Sequence, residues 1–310
     1  MPLISIVSPC YNEEGNIYEV YRQVKEIFSG LPQYNYEHIF IDNASKDQTV
    51  NILRDIAKKD KNVKIIINNR NFGHIRSPFY ALLQSHGDAS IALCSDLQDP
   101  PSLIVDFLKK WEEGYKVVKA VKKTSKESAI MFAIRKSYYH LINSISDIEL
   151  TINYTGFGLY DKAVVDVLRN IADPYPYFRG LISDLGFETA KIYYDQPTRK
   201  RGISKNNFYS LYDMAMLGIT NHSKIPLRLA TMFGFGISVL SLLVALGYFI
   251  AKLLFWNKFS LGTAPLVIGL FFFSSVQLFF IGIIGEYIGS IHTQVLKRPL
   301  VIERERINFE

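Results

Sequence analysis

The sequence predicts an α/β domain with a mostly parallel sheet covered by helices on both faces, followed by an amphipathic helix and two C-terminal transmembrane helices. Three observations carry this. Short apolar runs alternate with helical patterns through the N-terminal part of the chain, as in βαβ units. Acidic and amide groups stand where several of those runs stop, at the strand ends where open α/β sheets hold ligands. Two long segments near the C-terminus carry no charge at all.

The strand-like runs are Ile4 to Ser8, His38 to Ile41, Val63 to Ile67, Ser90 to Leu93 and Val117 to Val121. Helical patterns begin between them near Glu14, Asp47, Ser77 and Pro101. Ser45 and Asp47 read as opening the second helix, and Pro100 with Pro101 as pre-setting the fourth. Beyond Lys126 the pattern is less regular. A helix is expected near Ile130 to Ile145, then a glycine-marked strand "TGFGLY", a short helix from Lys162 and a strand near Thr189 to Tyr194. No repeat or low-complexity tract interrupts the chain.

From Asn207 onward, Phe208, Leu211, Tyr212, Ala215 and Ile219 recur at spacings of three and four, an apolar stripe on one helix. A basic cluster, Arg199, Lys200, Arg201 and Lys205, precedes it, so the helix reads as lying in the membrane interface. Packing on the globular domain is the competing reading. Leu229 to Ala251 and Phe259 to Gly285 are each uncharged and long enough to cross a hydrocarbon core of about 30 Å. Leu, Phe, Ile and Gly lie on every face there, which leaves no polar face for water. Residues 252–258 allow only a tight hairpin between the spans. Lys224 and Arg228 before the first span, with Lys297 and Arg298 after the second, place both ends in the cytoplasm, although Lys252 and Lys258 in the hairpin weaken the count.

The expected domains are therefore a cytoplasmic catalytic domain over 1–200, a basic and amphipathic juxtamembrane segment over 201–228, a transmembrane hairpin over 229–290 and a cytoplasmic tail over 291–310. The N-terminal run Met1 to Cys10 reads as a strand without a basic n-region, so no signal peptide is expected. The chain has 310 residues, 48% of them hydrophobic and 21% charged, and a net charge of +6. Two cysteines, Cys10 and Cys94, cannot make a disulfide framework and are read as reduced. The basic cluster suits a solvated face, anionic lipid or phosphate.

No G-x-G-x-x-G follows the first strand, so the phosphate-binding turn of a dinucleotide fold is missing. In its place stand "SPCYNEEGN" after strand one, "IDNAS" after strand two and "CSDLQDPP" after strand four, all at the carboxyl edge of one sheet. Carboxylates and an amide, without a His or Cys cluster, suit a hard divalent ion such as Mg²⁺ or Mn²⁺ that itself holds a diphosphate.

The motifs "SPCYNEE", "FIDNASKDQT", "RNFGH", "SDLQDPP", "FRGLISDLGF", "RKRGISKNNF" and "GEYIGSIHTQVLKRP" resemble the inverting, nucleotide-sugar-dependent family 2 glycosyltransferases. Among these the chain is similar to the polyprenyl-phosphate type, which includes dolichyl-phosphate mannose synthases and bacterial phage-type glucosyl transferases. The resemblance covers nearly the whole chain and leaves the sugar open. It implies a GT-A fold, a Rossmann-like sheet in which Pro9, Tyr11, Asn12, Glu13 and Asp42 surround the nucleoside of the donor. It implies that Asp96 and Gln98 hold the metal, and that Arg201 and Lys205, with Arg179 and Ser204, face the phosphates of donor and lipid acceptor. The implied partners are a nucleotide sugar, undecaprenyl or dolichyl phosphate and membrane lipid. Room is left for a homo-oligomer, and nucleic acid is not expected.

Three departures from the family pattern stand out: Cys94 where the D-x-D motif has an acid, Asn43 where an acid follows Asp42, and Gly156 where an acid precedes the "FR" segment. A thiol is a poor ligand for a hard ion. The loss at Gly156 removes a candidate base, yet a lipid phosphate monoester, with a second pKa of about 6, is already largely a dianion and needs none. In-line positioning and neutralisation of the departing diphosphate then remain the enzyme's task. Two other readings stand beside this one: a catalytically impaired scaffold, and a processive polysaccharide synthase. The second is disfavoured because "QPTRK" lacks the Trp of Q-x-x-R-W and two spans cannot enclose a polymer.

Overall fold

The computed structural model describes residues 1–123, 150–197, 208–255 and 263–309. The strands are β1 (Leu3–Cys10), β2 (Asn35–Asp42), β3 (Val63–Asn68), β4 (Ala89–Ala92), β5 (Val117–Lys122), β6 (Tyr154–Asp161), β7 (Thr189–Tyr194) and β8 (Glu303–Ile307). They form one sheet in the order β7-β5-β6-β4-β1-β2-β3-β8. β1 pairs in parallel with β2 and β4, β2 with β3, and β5 with β7. β6 runs antiparallel between β4 and β5, and β8 antiparallel against β3. The mostly parallel sheet of the sequence reading is present, with the carboxyl ends of β1, β2 and β4 at one edge.

The helices are α1 (Ile17–Ser29), α2 (Thr49–Lys59), α3 (Gly73–Leu83), α4 (Leu103–Glu112), α5 (Lys162–Ile171), α6 (Phe178–Asp184), α7 (Phe208–His222), α8 (Ile225–Leu254) and α9 (Thr263–Val295). Their apolar spacing explains their docking. α1 buries Ile17, Val20, Val24 and Phe28, and α2 buries Val50, Leu53, Ile56 and Ala57, each set recurring on one face of a 3.6-residue period. Both pack with Ile4, Phe40 and Ile65 of the sheet in one core layer. On the other face Phe79 and Leu82 of α3, Val164, Val165 and Leu168 of α5 and Ile182 of α6 pack on Val7, Ile39 and Ile41. α5 starts where Asp161 accepts from the Ala163 N–H at 2.9 Å, a side-chain N-cap.

Two expectations about helix starts change. Ser45 does not cap α2; its hydroxyl accepts from the Asn12 N–H at 2.9 Å, across the gap to β1. Gln48 is the N-cap and has no side-chain cap bond, while Asp47 accepts from the Thr49 N–H at 3.0 Å and its hydroxyl at 2.6 Å. α3 begins at Gly73, ahead of the predicted start near Ser77, and Pro78 lies inside it. The helix expected near 130–145 and the basic cluster around 199–205 lie outside the described residues.

α8 and α9 are the two long apolar helices, and their apolar segments run Ile225–Ala251 and Gly269–Val295. Neither hydrophobic window is buried by protein, the opposite of a core helix in a soluble fold. Their catalytic-side ends meet: the Tyr287 hydroxyl donates to the Ser223 carbonyl at 2.7 Å, so α9 at residue 287 is level with the start of α8.

α7 is joined to the catalytic domain. Leu217, outside the predicted stripe, is buried with Leu150 and Tyr177, while Tyr212 of the stripe is exposed and donates to Glu286 of α9 at 2.9 Å. After α9 the chain comes back to the sheet, where β8 covers the free edge of β3. The tail expected at 291–310 is thus structural: Tyr80 donates to Glu303 at 2.9 Å, and Arg54 pairs with Glu305.

Candidate active site

Asp42 is the last residue of β2 and is fully buried. Burial raises its carboxyl above the usual range, and the opposing influences are bonds from Ser45 and the Ala44 backbone, with the positive charge of Arg304. The Ser45 N–H reaches its Oδ2 at 3.0 Å. Cys10, which ends β1 beside it, is buried and gives its thiol to the Ile41 carbonyl at 3.4 Å. Burial and then Asp42 push that thiol far up, so Cys10 is a packing residue and no nucleophile.

The exits of β1 and β2 are laced together. The Asn12 Oδ1 accepts from the Lys46 N–H at 2.8 Å, the Glu13 N–H donates to Thr49 Oγ1 at 2.9 Å, and the Gln48 N–H donates to Glu14 at 2.9 Å. Asn12 has a left-handed backbone, φ 56°, which Asn tolerates better than most residues and which turns the chain back toward the β2 loop. Glu13 Oε2 accepts from Asn16 Nδ2 at 2.7 Å at the start of α1. Of the residues expected around the nucleoside, Pro9, Tyr11, Asn12, Glu13 and Asp42 are therefore brought to one rim, with Pro9 in β1 opposite Ile41.

Asn43 has a structural task. Buried beyond β2, it accepts at Oδ1 from the Phe72 N–H at 2.8 Å and from Asn68 Nδ2 at 3.1 Å, and it donates to Asn71 Oδ1 and the Gly73 carbonyl. A carboxylate could make the two accepted bonds but not the two donated ones. The amide thereby fixes the "RNFGH" loop and the start of α3 at the sheet edge.

Beyond β4 the chain turns through Leu97, φ 58°. Asp96 Oδ1 accepts from the Gln98 N–H at 3.1 Å, an Asx turn that holds the carboxylate at the rim. Asp99 points inward instead: it is buried, accepts from the Tyr194 hydroxyl at 2.8 Å, and has its carboxyl raised by burial. Cys94 is exposed just past the end of β4. Among the described residues no three His, Cys, Asp or Glu side chains converge on a point. An ion here would take a small protein ligand set, Asp96 with Gln98, and complete its shell with diphosphate and water. That fits the way Mg²⁺ uses one or two carboxylates with substrate phosphates.

Arg179 is the second residue of α6. Its Nη1 donates to the Tyr154 carbonyl at 3.4 Å, and its guanidinium lies 5.5 Å from the Tyr177 ring centre. Packing round His74 and then the Arg179 charge lower that imidazole, so "RNFGH" and "FRG" face each other. Gly156, the third departure, has φ 103°, and a Cβ there would sit 3.4 Å from the Phe178 ring. The bend next to "FR" requires glycine and excludes an acid without strain. Arg201, Ser204 and Lys205 lie outside the described residues. Sequence reading missed Arg304, which the charged strand β8 brings near Asp42; only the return of the tail, invisible in a local pattern, places it there.

Residues 5–169 match the family described as Glycosyl transferase family 2. The chain is 35% identical over 308 residues to the glycosyltransferase YkcC of Bacillus subtilis (strain 168), covering 99% of this chain and 94% of that one. It is 34% identical to the SfII prophage-derived bactoprenol glucosyl transferase of Shigella flexneri, covering 96% of each. Among solved structures, glucosyl-3-phosphoglycerate synthase from Mycobacterium tuberculosis aligns at a TM-score of 0.50 and 19% identity, over 71% of this chain and 76% of that one. Mannosyl-3-phosphoglycerate synthase from Rubrobacter xylanophilus aligns at 0.51 and 15%, over 70% and 71%. The sheet with its carboxyl-edge site is thus a GT-A fold, and the chain belongs to glycosyl transferase family 2 and is a glycosyltransferase.

Proposed function

We propose that the chain transfers one sugar from a nucleotide-linked donor, UDP-linked by preference, to a polyprenyl phosphate at the cytoplasmic leaflet, with inversion. One observation carries the reading: the acidic strand exits share a rim with "RNFGH" and "FRG", and the helix bearing Arg179 packs directly on the segments that lead into the apolar helices. The Shigella flexneri relative is named for bactoprenol, and the Mycobacterium tuberculosis synthase was solved with Mn²⁺ and UDP. Both names support an acceptor and a donor of this kind. The return of β8 to the sheet argues that both ends of the hairpin lie on the catalytic side, in keeping with Lys224, Arg228, Lys297 and Arg298 there.

In this reading Asp42 and the laced loop at Asn12 and Glu13 receive the nucleoside, and Asp96 lies at the diphosphate. Mg²⁺ or Mn²⁺ held by Asp96 and Gln98 would supply neutralisation of the departing diphosphate. The acceptor's phosphate oxygen attacks the anomeric carbon on the face opposite the leaving group, and the C–O bond to the diphosphate breaks. No proton has to be removed from a dianionic phosphate, which agrees with a glycine at position 156. Arg179 adds positive charge near the exchange, and Arg201, Lys205 and Ser204 are proposed to act with it.

The test is transfer of labelled sugar by the full chain from a panel of nucleotide sugars into vesicles containing undecaprenyl phosphate. Label should enter the lipid phase only when the polyprenyl phosphate is present. Release of free sugar without lipid product, for every donor, would sink the acceptor assignment.

A further inference from the structure

A cleft of about 510 Å³ opens where α3, the Pro174–Tyr175 segment, α7 and the end of α9 meet. Its height in the membrane follows from the helix ends. Residues 259–285 are uncharged, and the stretch that lines the cleft beyond them carries Glu286, Ser290, His292, Thr293 and Gln294. Since Tyr287 is level with Ser223 just before α8, the cleft sits at the headgroup layer and not in the hydrocarbon.

The two signs of charge in it are separated along α9: Glu286 lies nine residues, about 13.5 Å of helix rise, before the helix ends at Val295, and Arg298 follows that end. One end has Arg76 and Arg298. Arg76 donates through Nη2 to the Pro299 carbonyl, while its Nε is buried and finds no hydrogen-bond partner among the described residues. Burial first, and then the charges of Arg70 and Arg298, hold this guanidinium below its usual value. The other end has Asp213 of α7 and Glu286 of α9, the latter tied to α7 by Tyr212. Tyr175 stands between: burial and Asp213 raise its phenol, and Arg76 opposes them. Met216, Leu217 and Leu296 supply apolar wall.

A simple anion would meet Asp213 and Glu286, and a simple cation would meet the arginines. A ligand carrying a phosphate and an ammonium on one short linker satisfies both ends. Arg binds phosphate oxygens through its planar fork. A primary ammonium offers three N–H donors to carboxylates, which a quaternary ammonium cannot. We infer that this cleft holds the headgroup of a phosphoethanolamine-type phospholipid, its phosphate at Arg76 and Arg298 and its ammonium at Asp213 and Glu286. The lipid so held bridges α3 of the catalytic domain to α7 and α9. This goes beyond the proposed sugar transfer and stands whichever acceptor is used.

The test uses the full chain reconstituted in bilayers of phosphatidylcholine, phosphatidylethanolamine and phosphatidylglycerol in equal parts, with a trace of undecaprenyl phosphate. The protein is then extracted and the retained lipid is quantified by mass spectrometry. The ethanolamine lipid should be enriched roughly tenfold over the choline and glycerol lipids, equivalent to about 1.4 kcal/mol. Arg76→Gln and Arg298→Gln should abolish the enrichment, and Asp213→Asn should remove the preference of ethanolamine over choline. Enrichment of phosphatidylglycerol or undecaprenyl phosphate in place of the ethanolamine lipid would overturn the proposal, as would retained lipid of the same composition as the bilayer. The wild-type measurement decides even where a variant misfolds, and nucleotide binding by calorimetry identifies such a variant.

Discussion

His222, the last residue of α7, stands against Gly180 of α6 so closely that a Cβ on the glycine would lie 2.1 Å from the imidazole Nε2. The Tyr177 ring flanks the same imidazole at 5.6 Å. The helix that carries Arg179 is therefore seated on the segment that leads into α8, the first of the two candidate membrane-spanning helices. Gly180→Ala should push His222 out, cost about 1–3 kcal/mol by overpacking, and lower transfer to a vesicle-borne acceptor more than binding of nucleotide. Thermal unfolding with calorimetry of nucleotide binding checks it; equal losses in both would show that the contact is only structural.

Asp96→Asn should reduce transfer roughly 100-fold or more by weakening the hold on the divalent ion that would neutralise the departing diphosphate, with thermal stability unchanged because the carboxylate is held only at the rim. Rate against metal concentration is the measurement. Near-normal turnover at saturating Mn²⁺ would remove Asp96 from the site.

Asn43→Asp should destabilise the fold by about 2 kcal/mol, since two donated bonds to Asn71 and Gly73 are replaced by facing acceptors. Restoring the acid usual in the family should therefore fail to raise activity. A gain in turnover by this variant, read beside its urea midpoint, would show that Asn43 limits catalysis.

These residues mark how far the sequence could be read. The strands and the rim at Asp42 and Asp96 are legible because apolar runs stop at polar exits, a local pattern. The roles of Asn43 and Gly156 are not legible, because an amide's four bonds and a backbone φ depend on loops distant in sequence. "ERERI" gives no strand signal at all. Its alternating charges suit an edge, where side chains face water and discourage pairing with other molecules, and only its partner β3 makes it a strand. The basic cluster read in the sequence lies outside the described residues, so the proposed roles of Arg201, Ser204 and Lys205 rest on resemblance.

Deleting residues 300–310 should expose the β3 edge and remove the contacts of Glu303 and Glu305, with buried Val301. A fall of several degrees in melting temperature and a rise in aggregation are expected. An unchanged melting curve would show that the tail is dispensable to the sheet.

His38 is buried, stacks 3.9 Å from Phe40 and shares a 2.9 Å hydrogen bond with Ser8. Burial lowers its imidazole to about 3, against an unfolded value near 6.5. Below pH ~6.5 the unfolded chain binds the extra proton, so stability is full above that pH and declines as pH falls toward 3. His38→Gln should be less sensitive to acid between pH 6.5 and 4, measured by urea midpoints. An equal slope in both proteins would assign the acid loss elsewhere.

The central claim, inverting transfer to a lipid phosphate, is tested most directly by the anomeric configuration of the lipid-linked product. A nucleotide donor with an α-linked sugar, incubated with the full chain, Mn²⁺ and undecaprenyl phosphate, should give a β-linked sugar phosphate by NMR of the extracted lipid. An α-linked product, or a sugar carried on anything but the lipid phosphate, would contradict the account.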